Sequence, residues 1–207
     1  MVIYFSQASV TQKVRRYHLL GTLLLLGHLL VGCSKKNTQT LPTAYTRFII
    51  LKGAHYANYD SSKLITTAYS EQRFWVIFDS TAIYQNVLTS NQFDINKLYG
   101  FADNNAFHQA FSARFGWNWL NNKLHLWAYV YNDGQRLVKD LGSFPLYTPL
   151  NCSIKVDSNT YVFGIDNQKW TMPRTSNTPI ANGYKLLPYF GGDEPAPHDI
   201  VILIKEV

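Results

Sequence analysis

The chain has 207 residues and a formal net charge of +6, from 19 Lys and Arg against 13 Asp and Glu. Lys13, Arg15 and Arg16 lie ahead of Cys33 in a stretch without acids, and the remainder balances to 16 basic against 13 acidic residues. That near-neutral balance excludes the basic surface of a nucleic-acid-binding domain, and no nucleic-acid partner is expected.

The first element in chain order is a basic region, Lys13 to Arg16, followed by an apolar run over residues 19–31 that contains two glycines and a histidine. This is the layout of a secretion signal, and the run is shorter than the roughly 20 apolar residues that cross a hydrocarbon core of about 30 Å. Leu30-Val31-Gly32-Cys33 closes the run and resembles the lipobox of bacterial lipoproteins. The resemblance implies a signal peptide over residues 1–32 and a Cys33 that carries diacylglycerol and a palmitate-type acyl chain. An uncleaved signal anchor with an ordinary Cys33 is the other reading. One acyl chain binds a bilayer only reversibly, so stable anchoring takes more than one. Residues 33–44 begin Cys33-Ser34-Lys35-Lys36, contain Asn37-Thr38-Gln39-Thr40, and are too polar to pack, which makes them a tether. The expected partner is therefore a lipid bilayer. The absence of an acidic cluster after Ser34 points to an outer-membrane protein facing the periplasm. The domain proper is expected over residues 45–207.

Short runs of β-branched and aromatic residues follow at 47–52 and 73–78. Residues 93–101 are read as a helical turn. At 111–119, aromatic residues alternate with Ser112, Arg114 and Asn118. Residues 124–131 alternate more strictly: Leu124, Leu126, Ala128 and Val130 share one face, and His125, Trp127, Tyr129 and Tyr131 share the other. Asn132-Asp133-Gly134 then joins this run to 135–139, a strong hairpin signal. A second hairpin is expected between 152–156 and 161–165, and a third at Asp166-Asn167 leading into 168–171. Cys152 is the only cysteine besides Cys33, so it is expected to be a lone, buried and inert thiol.

The segment Gly191-Gly192-Asp193-Glu194-Pro195-Ala196-Pro197-His198-Asp199 precedes a final apolar strand at 200–204. Asp193 and Asp199, with Glu194 and His198 nearby, are candidate ligands for a structural Ca²⁺. A capping loop with no metal is the alternative, and no other cofactor is expected.

Some nine or ten strands with turns every eight to twelve residues make an all-β, antiparallel two-sheet β-sandwich of jelly-roll type. The aliphatic face of 124–131 should line its core. The aromatic face is either a ligand platform or packing. Rings with hydrogen-bonding edges suit sugars, whose apolar faces stack while their hydroxyls need fixed polar partners. On that basis Arg114, His125, Trp127, Tyr129 and Tyr131 are the candidate ligand-binding residues, with a glycan as partner.

The strand order, the segments Ala113-Arg114-Phe115-Gly116-Trp117 and Trp127-Ala128-Tyr129, and the Gly-Gly-Asp-Glu loop resemble Bacteroidota-type lipoproteins. In layout the chain is similar to concanavalin A-like lectin and glucanase jelly rolls. The likeness spans residues 48–205 and implies glycan contact without assigning a role to any residue. Sandwich glycosidases of that kind carry Glu-x-Asp-x-x-Glu on one strand, and this chain lacks it. No catalytic residue is assigned. A β-eliminating polysaccharide lyase needs a neutralising Arg or Asn and a His or Tyr base, which His108, Arg114, His125 and Tyr129 would supply. A structural or protein-interaction lipoprotein is the third alternative.

Overall fold

The computed structural model describes residues 44–58 and 64–207, all within the second of the chain's two units, Gln39–Val207. Residues 1–33, read above as a signal peptide ending in a lipobox, lie outside the described residues. Two six-stranded antiparallel sheets make up the domain. The first carries, in spatial order, β1 (Thr46–Ile50), β12 (Ile200–Glu206), β3 (Glu71–Phe78), β8 (Leu150–Asp157), β9 (Thr160–Ile165) and β10 (Gln168–Pro173). The second runs β2 (Thr66–Tyr69), β11 (Ala181–Leu186), β4 (Asn96–Ala102), β5 (Ser112–Leu120), β6 (Lys123–Asn132) and β7 (Gln135–Phe144). This is the all-β two-sheet sandwich expected from the strand pattern.

Alternation builds the core. On β3, Phe74, Val76 and Phe78 are buried, and on β6 so are Leu124, Leu126, Ala128 and Val130, the face read as aliphatic. The two sheets meet through aromatic rings: Phe115 lies 5.7 Å from Phe74 and 5.1 Å from Phe163, both near edge-on, and Trp117 lies 5.3 Å from Phe78. Each fully buried side chain of this size contributes about 1.5–3 kcal/mol. Edge-to-face ring pairs add about 0.5–1.5 kcal/mol more. Cys152 is fully buried and unpaired, and burial pushes its thiol up, so it is core filling.

All three hairpins form. Asp133 and Gly134 both have positive φ, +49° and +76°, the backbone that a two-residue turn between β6 and β7 requires. The sheets correct the sequence reading at 93–101. Of that stretch Phe93 ends a 3-10 helix, Thr89–Phe93, and residues 96–101 belong to strand β4. Its alternation is broken because β4 and β5 shift register between Lys97 and Gly100, where three steps on β4 span two on β5. Such a bulge hides a strand from a period-two search and re-aims the side chain beside it.

The Gly-Gly-Asp-Glu loop docks on neighbouring elements. Glu194 accepts the Val87 and Leu88 N–H groups at 2.7 and 2.9 Å and the Asn91 amide at 2.9 Å. These bonds hold its carboxyl below the usual carboxylate range. Asp199 accepts the Lys52 N–H at 2.8 Å, while Asp193 is exposed. Among the described residues no group of three His, Cys, Asp or Glu side chains converges to hold a metal ion. The carboxylates of Glu194 and Asp199 cap backbone donors.

Candidate functional site

The outer face of the second sheet carries the polar half of the alternating pattern. Arg114 on β5 sits opposite Tyr129 on β6, and Ser112 opposite Tyr131, so these side chains stand side by side. The β4 bulge adds Lys97 to the same face. Its Nζ lies 5.2 Å from the Tyr129 ring centre and 5.9 Å from that of Tyr189. Two glycines make room for this arrangement. A Cβ at Gly100 would come within 2.4 Å of the Arg114 Cα, and one at Gly191 within 2.4 Å of Lys97 Nζ.

These residues line a cavity of about 520 Å³. Loops complete its walls. His108 comes from the β4–β5 connection, Tyr184 from β11, Tyr189 from the segment after it, and Tyr56 from the connection after β1. Tyr56 is 71% exposed and packs edge-on to Tyr189 at 4.9 Å, and Phe107, 60% exposed, lies 4.4 Å from the His108 ring. Two aromatic rings are thus held at the cavity in contact with its polar groups while still facing solvent.

The electrostatics follow from burial and like charge. Burial, with Arg114 next, pushes Lys97 down to about 8. The same two causes push His108 down to about 4, so its ring is neutral at pH 7. Its Nδ1 lies 2.8 Å from the Tyr184 hydroxyl, which also accepts the His108 backbone N–H at 3.1 Å. Arg114 is 8% exposed, its guanidinium lies 5.1 Å from the Tyr129 ring centre, and its Nε is buried without a hydrogen-bond partner. Among the described residues that line the cavity there is no Asp or Glu. Lys185, which also reaches it, is paired with Glu206. The described lining therefore holds two cations, Lys97 and Arg114, among phenol rings, with Asp94, which raises the Lys97 proton affinity, beside Gly192 at its rim. Such a site attracts an anion with an apolar face and repels cations.

Of the ligand-binding residues expected from sequence, the structure brings Arg114, Tyr129 and Tyr131 together in the cavity. His125 and Trp127 share their face of β6 but are not among its lining residues. Trp127 is half-buried and donates from Nε1 to Asn118 Oδ1 at 3.0 Å, while His125 Nδ1 lies 3.1 Å from Asp140. Ile95 packs over Gly116, the cross-strand partner of Trp127, so side chains fill the outer face at that level. Of the set considered for a lyase, His108, Arg114 and Tyr129 reach the cavity and His125 does not. Sequence reading missed Lys97, Tyr184 and Tyr189. Lys97 lay in the stretch read as a turn, and β11 is short, with Gly183 at its centre.

No protein-family model matches this chain, and no curated protein does. Among solved structures, the chain is similar to the alginate lyase AlyC3 with a TM-score of 0.52 and 13% identity, over 77% of this chain and 72% of that one. It matches the structure of the same lyase in complex with dimannuronate(2M) with a TM-score of 0.51 and 13% identity, over 77% and 71% of the two chains. A glycoside hydrolase family 16 endo-glucanase from Bacteroides ovatus aligns at 13% identity over 78% of this chain and 67% of that one, with a TM-score of 0.40. At this identity the likeness to the lyase is one of fold, an antiparallel jelly-roll sandwich.

Proposed function

We propose that the cavity on the second sheet binds an acidic glycan, a chain whose sugars carry carboxylates, with Lys97 and Arg114 meeting the carboxylate and Tyr129, Tyr131 and Tyr189 meeting the ring faces. The observation that carries this is the pair of cations, Lys97 and Arg114, in a tyrosine-lined cavity with no acid among its described lining residues. The fold-level neighbour bound to dimannuronate is a protein that holds a uronate disaccharide, which agrees with this choice of ligand. Trp127 and His125, lying farther along β6, are the candidates for contacts with a longer chain. The domain is anchored, on this proposal, to the outer membrane through acylated Cys33 and faces the periplasm.

Calorimetric titration of the full-length protein with a mannuronate oligomer and, separately, a neutral β-glucan oligomer tests the binding. The acidic oligomer should bind and weaken with salt, since exposed charge attraction is screened over about 8–10 Å. Equal affinity for both oligomers, or for neither, would overturn the proposal.

A second reading is favoured by one contact, the neutral His108 within hydrogen-bond distance of Tyr184 beside the two cations. In β-elimination a cation withdraws charge from the uronate carboxylate, and a base removes the C5 proton. The electron pair of that C–H bond then forms a C4–C5 double bond as the C4–O bond breaks, and an acid protonates the departing oxygen. An imidazole and a phenol can serve as base and acid in such a step. Ultraviolet absorbance of an unsaturated uronide during the titration would establish it, and an unchanged oligomer would leave binding alone.

A further inference from the structure

One cluster of charged side chains lies outside the cavity. Asp103 and Arg174 form an ion pair at 2.8 Å with side chains 0% and 2% exposed. Asp103 directly follows β4 and opens the loop that carries His108. Its Oδ2 also accepts from the buried Tyr161 hydroxyl at 2.6 Å. Its Oδ1 accepts the Asn104 N–H at 2.6 Å, the Thr178 hydroxyl at 3.2 Å and the Asn182 N–H at 3.3 Å. Burial works to raise this carboxyl, but the Arg174 and Tyr161 hydrogen bonds outweigh it and hold it below the usual range. Arg174 in turn donates to Ser158 O at 3.1 Å and to the Ser176 hydroxyl at 3.1 Å.

The position of this pair is what separates it from ordinary core. Asn182 belongs to β11 and stands two residues before Tyr184. Asn105 N–H donates to Asn182 O at 2.7 Å, so the loop is pinned to β11 at both backbone groups of Asn182. Asn104 and Asn105 both take positive φ, +58° and +52°, a left-handed turn that asparagine tolerates and that bends the chain back toward β11. A buried ion pair is weak support for stability as such, since desolvation offsets its attraction. Here it ties together the two elements that meet as His108 and Tyr184.

We propose that Asp103, through its buried pair with Arg174, is a positioning residue of the cavity: it sets the β4–β5 loop against β11 and thereby holds His108 on Tyr184. This deepens, and rests on, the assignment of the cavity as the functional site, but it can be tested without any glycan. The titratable groups that share the cavity with His108 are Arg114 on β5, Lys97 on β4, Tyr129 and Tyr131 on β6, Tyr184 and Lys185 on β11, and Tyr56 and Tyr189 on the flanking connections.

The experiment is a nuclear magnetic resonance titration of the full-length protein labelled at histidine, with His108→Gln assigning the resonance. In the native protein His108 should remain neutral down to about pH 4. In Asp103→Asn the loop is released and solvent enters, so its midpoint should move upward by at least one pH unit toward the ordinary 6.5, with the other histidines unmoved. Ile154→Ala, a cavity in the first sheet's core, serves as a control destabilised without touching the loop, and should leave His108 where it was. Should Asp103→Asn fail to fold, two variants carry the same test. Asp103→Asn with Arg174→Met neutralises both partners, and Tyr161→Phe removes one hydrogen bond to Asp103. Both should shift the midpoint the same way, Tyr161→Phe by less. A His108 midpoint that stays put in these variants, or moves as far in Ile154→Ala, overturns the proposal. Loss of glycan binding alone would bear only on the function of the cavity.

Discussion

Lys97→Met should make this protein more stable and a poorer binder. In the cavity the lysine's proton affinity falls from the ordinary 10.5 to about 8, with burial the largest cause and Arg114 the next. At about 1.4 kcal/mol for each tenfold change, holding that ammonium charged costs about 3 kcal/mol, which partial exposure screens to roughly 2 kcal/mol. Methionine keeps the stem's packing and removes the charge, losing about 1 kcal/mol of attraction to the Tyr129 and Tyr189 rings. The net expectation is a gain of about 1 kcal/mol at pH 7. The sign of the pH dependence follows from linkage. Between about 8 and 10.5 the unfolded chain holds more protons on Lys97 than the folded one, so native stability rises with pH across that window and the gap to Lys97→Met closes. Urea denaturation of both proteins at pH 7 and pH 10 measures this, and the tyrosine titrations cancel in the difference. Binding of the mannuronate oligomer should fall at least tenfold in the variant at pH 7, and in the native protein it should fall as pH rises through about 8. A variant that is less stable at pH 7, or a gap that does not change with pH, would refute the burial of a charged Lys97.

Four further outcomes are expected. Gly100→Ala drives a Cβ to 2.2 Å from Ala113 O and 2.4 Å from Arg114 Cα, and because both are backbone atoms β4 must move off β5. Denaturation should show a loss of about 1–3 kcal/mol or more, with weakened glycan binding. Leu126→Ala, at a fully buried position, should cost about 2–5 kcal/mol. Trp127→Ala loses a half-buried ring and orphans Asn118 Oδ1, so about 2–4 kcal/mol is expected, and thermal melts of the two variants compare them. Cys33→Ser should block acylation and leave an uncleaved or mislocalised precursor, and a variant with the native mature mass that still partitions with membranes would count against the proposed anchor.

The sheet architecture was legible in the residues because it depends on local chemistry. Leu124, Leu126, Ala128 and Val130 alternate with His125, Trp127, Tyr129 and Tyr131, and a pleated strand sends successive side chains to opposite faces whatever it pairs with. Asp133-Gly134 tolerates the positive φ of a tight hairpin, so the residues alone join β6 to β7. The polar face of β5 and β6 therefore already contained Arg114, Tyr129 and Tyr131. Where that face is open was decided by tertiary structure alone. The bulge that turns Lys97 outward leaves a run without period, and the same run brings Ile95 over Gly116 beside Trp127. His108 meets Tyr184 only because a loop and a strand 76 residues apart are pinned together. Asp103 finds Arg174 71 positions along the chain. Period and turn chemistry act between neighbours in sequence, whereas charge, burial and hydrogen bonding in the cavity act between residues that only the packed sheets bring within reach.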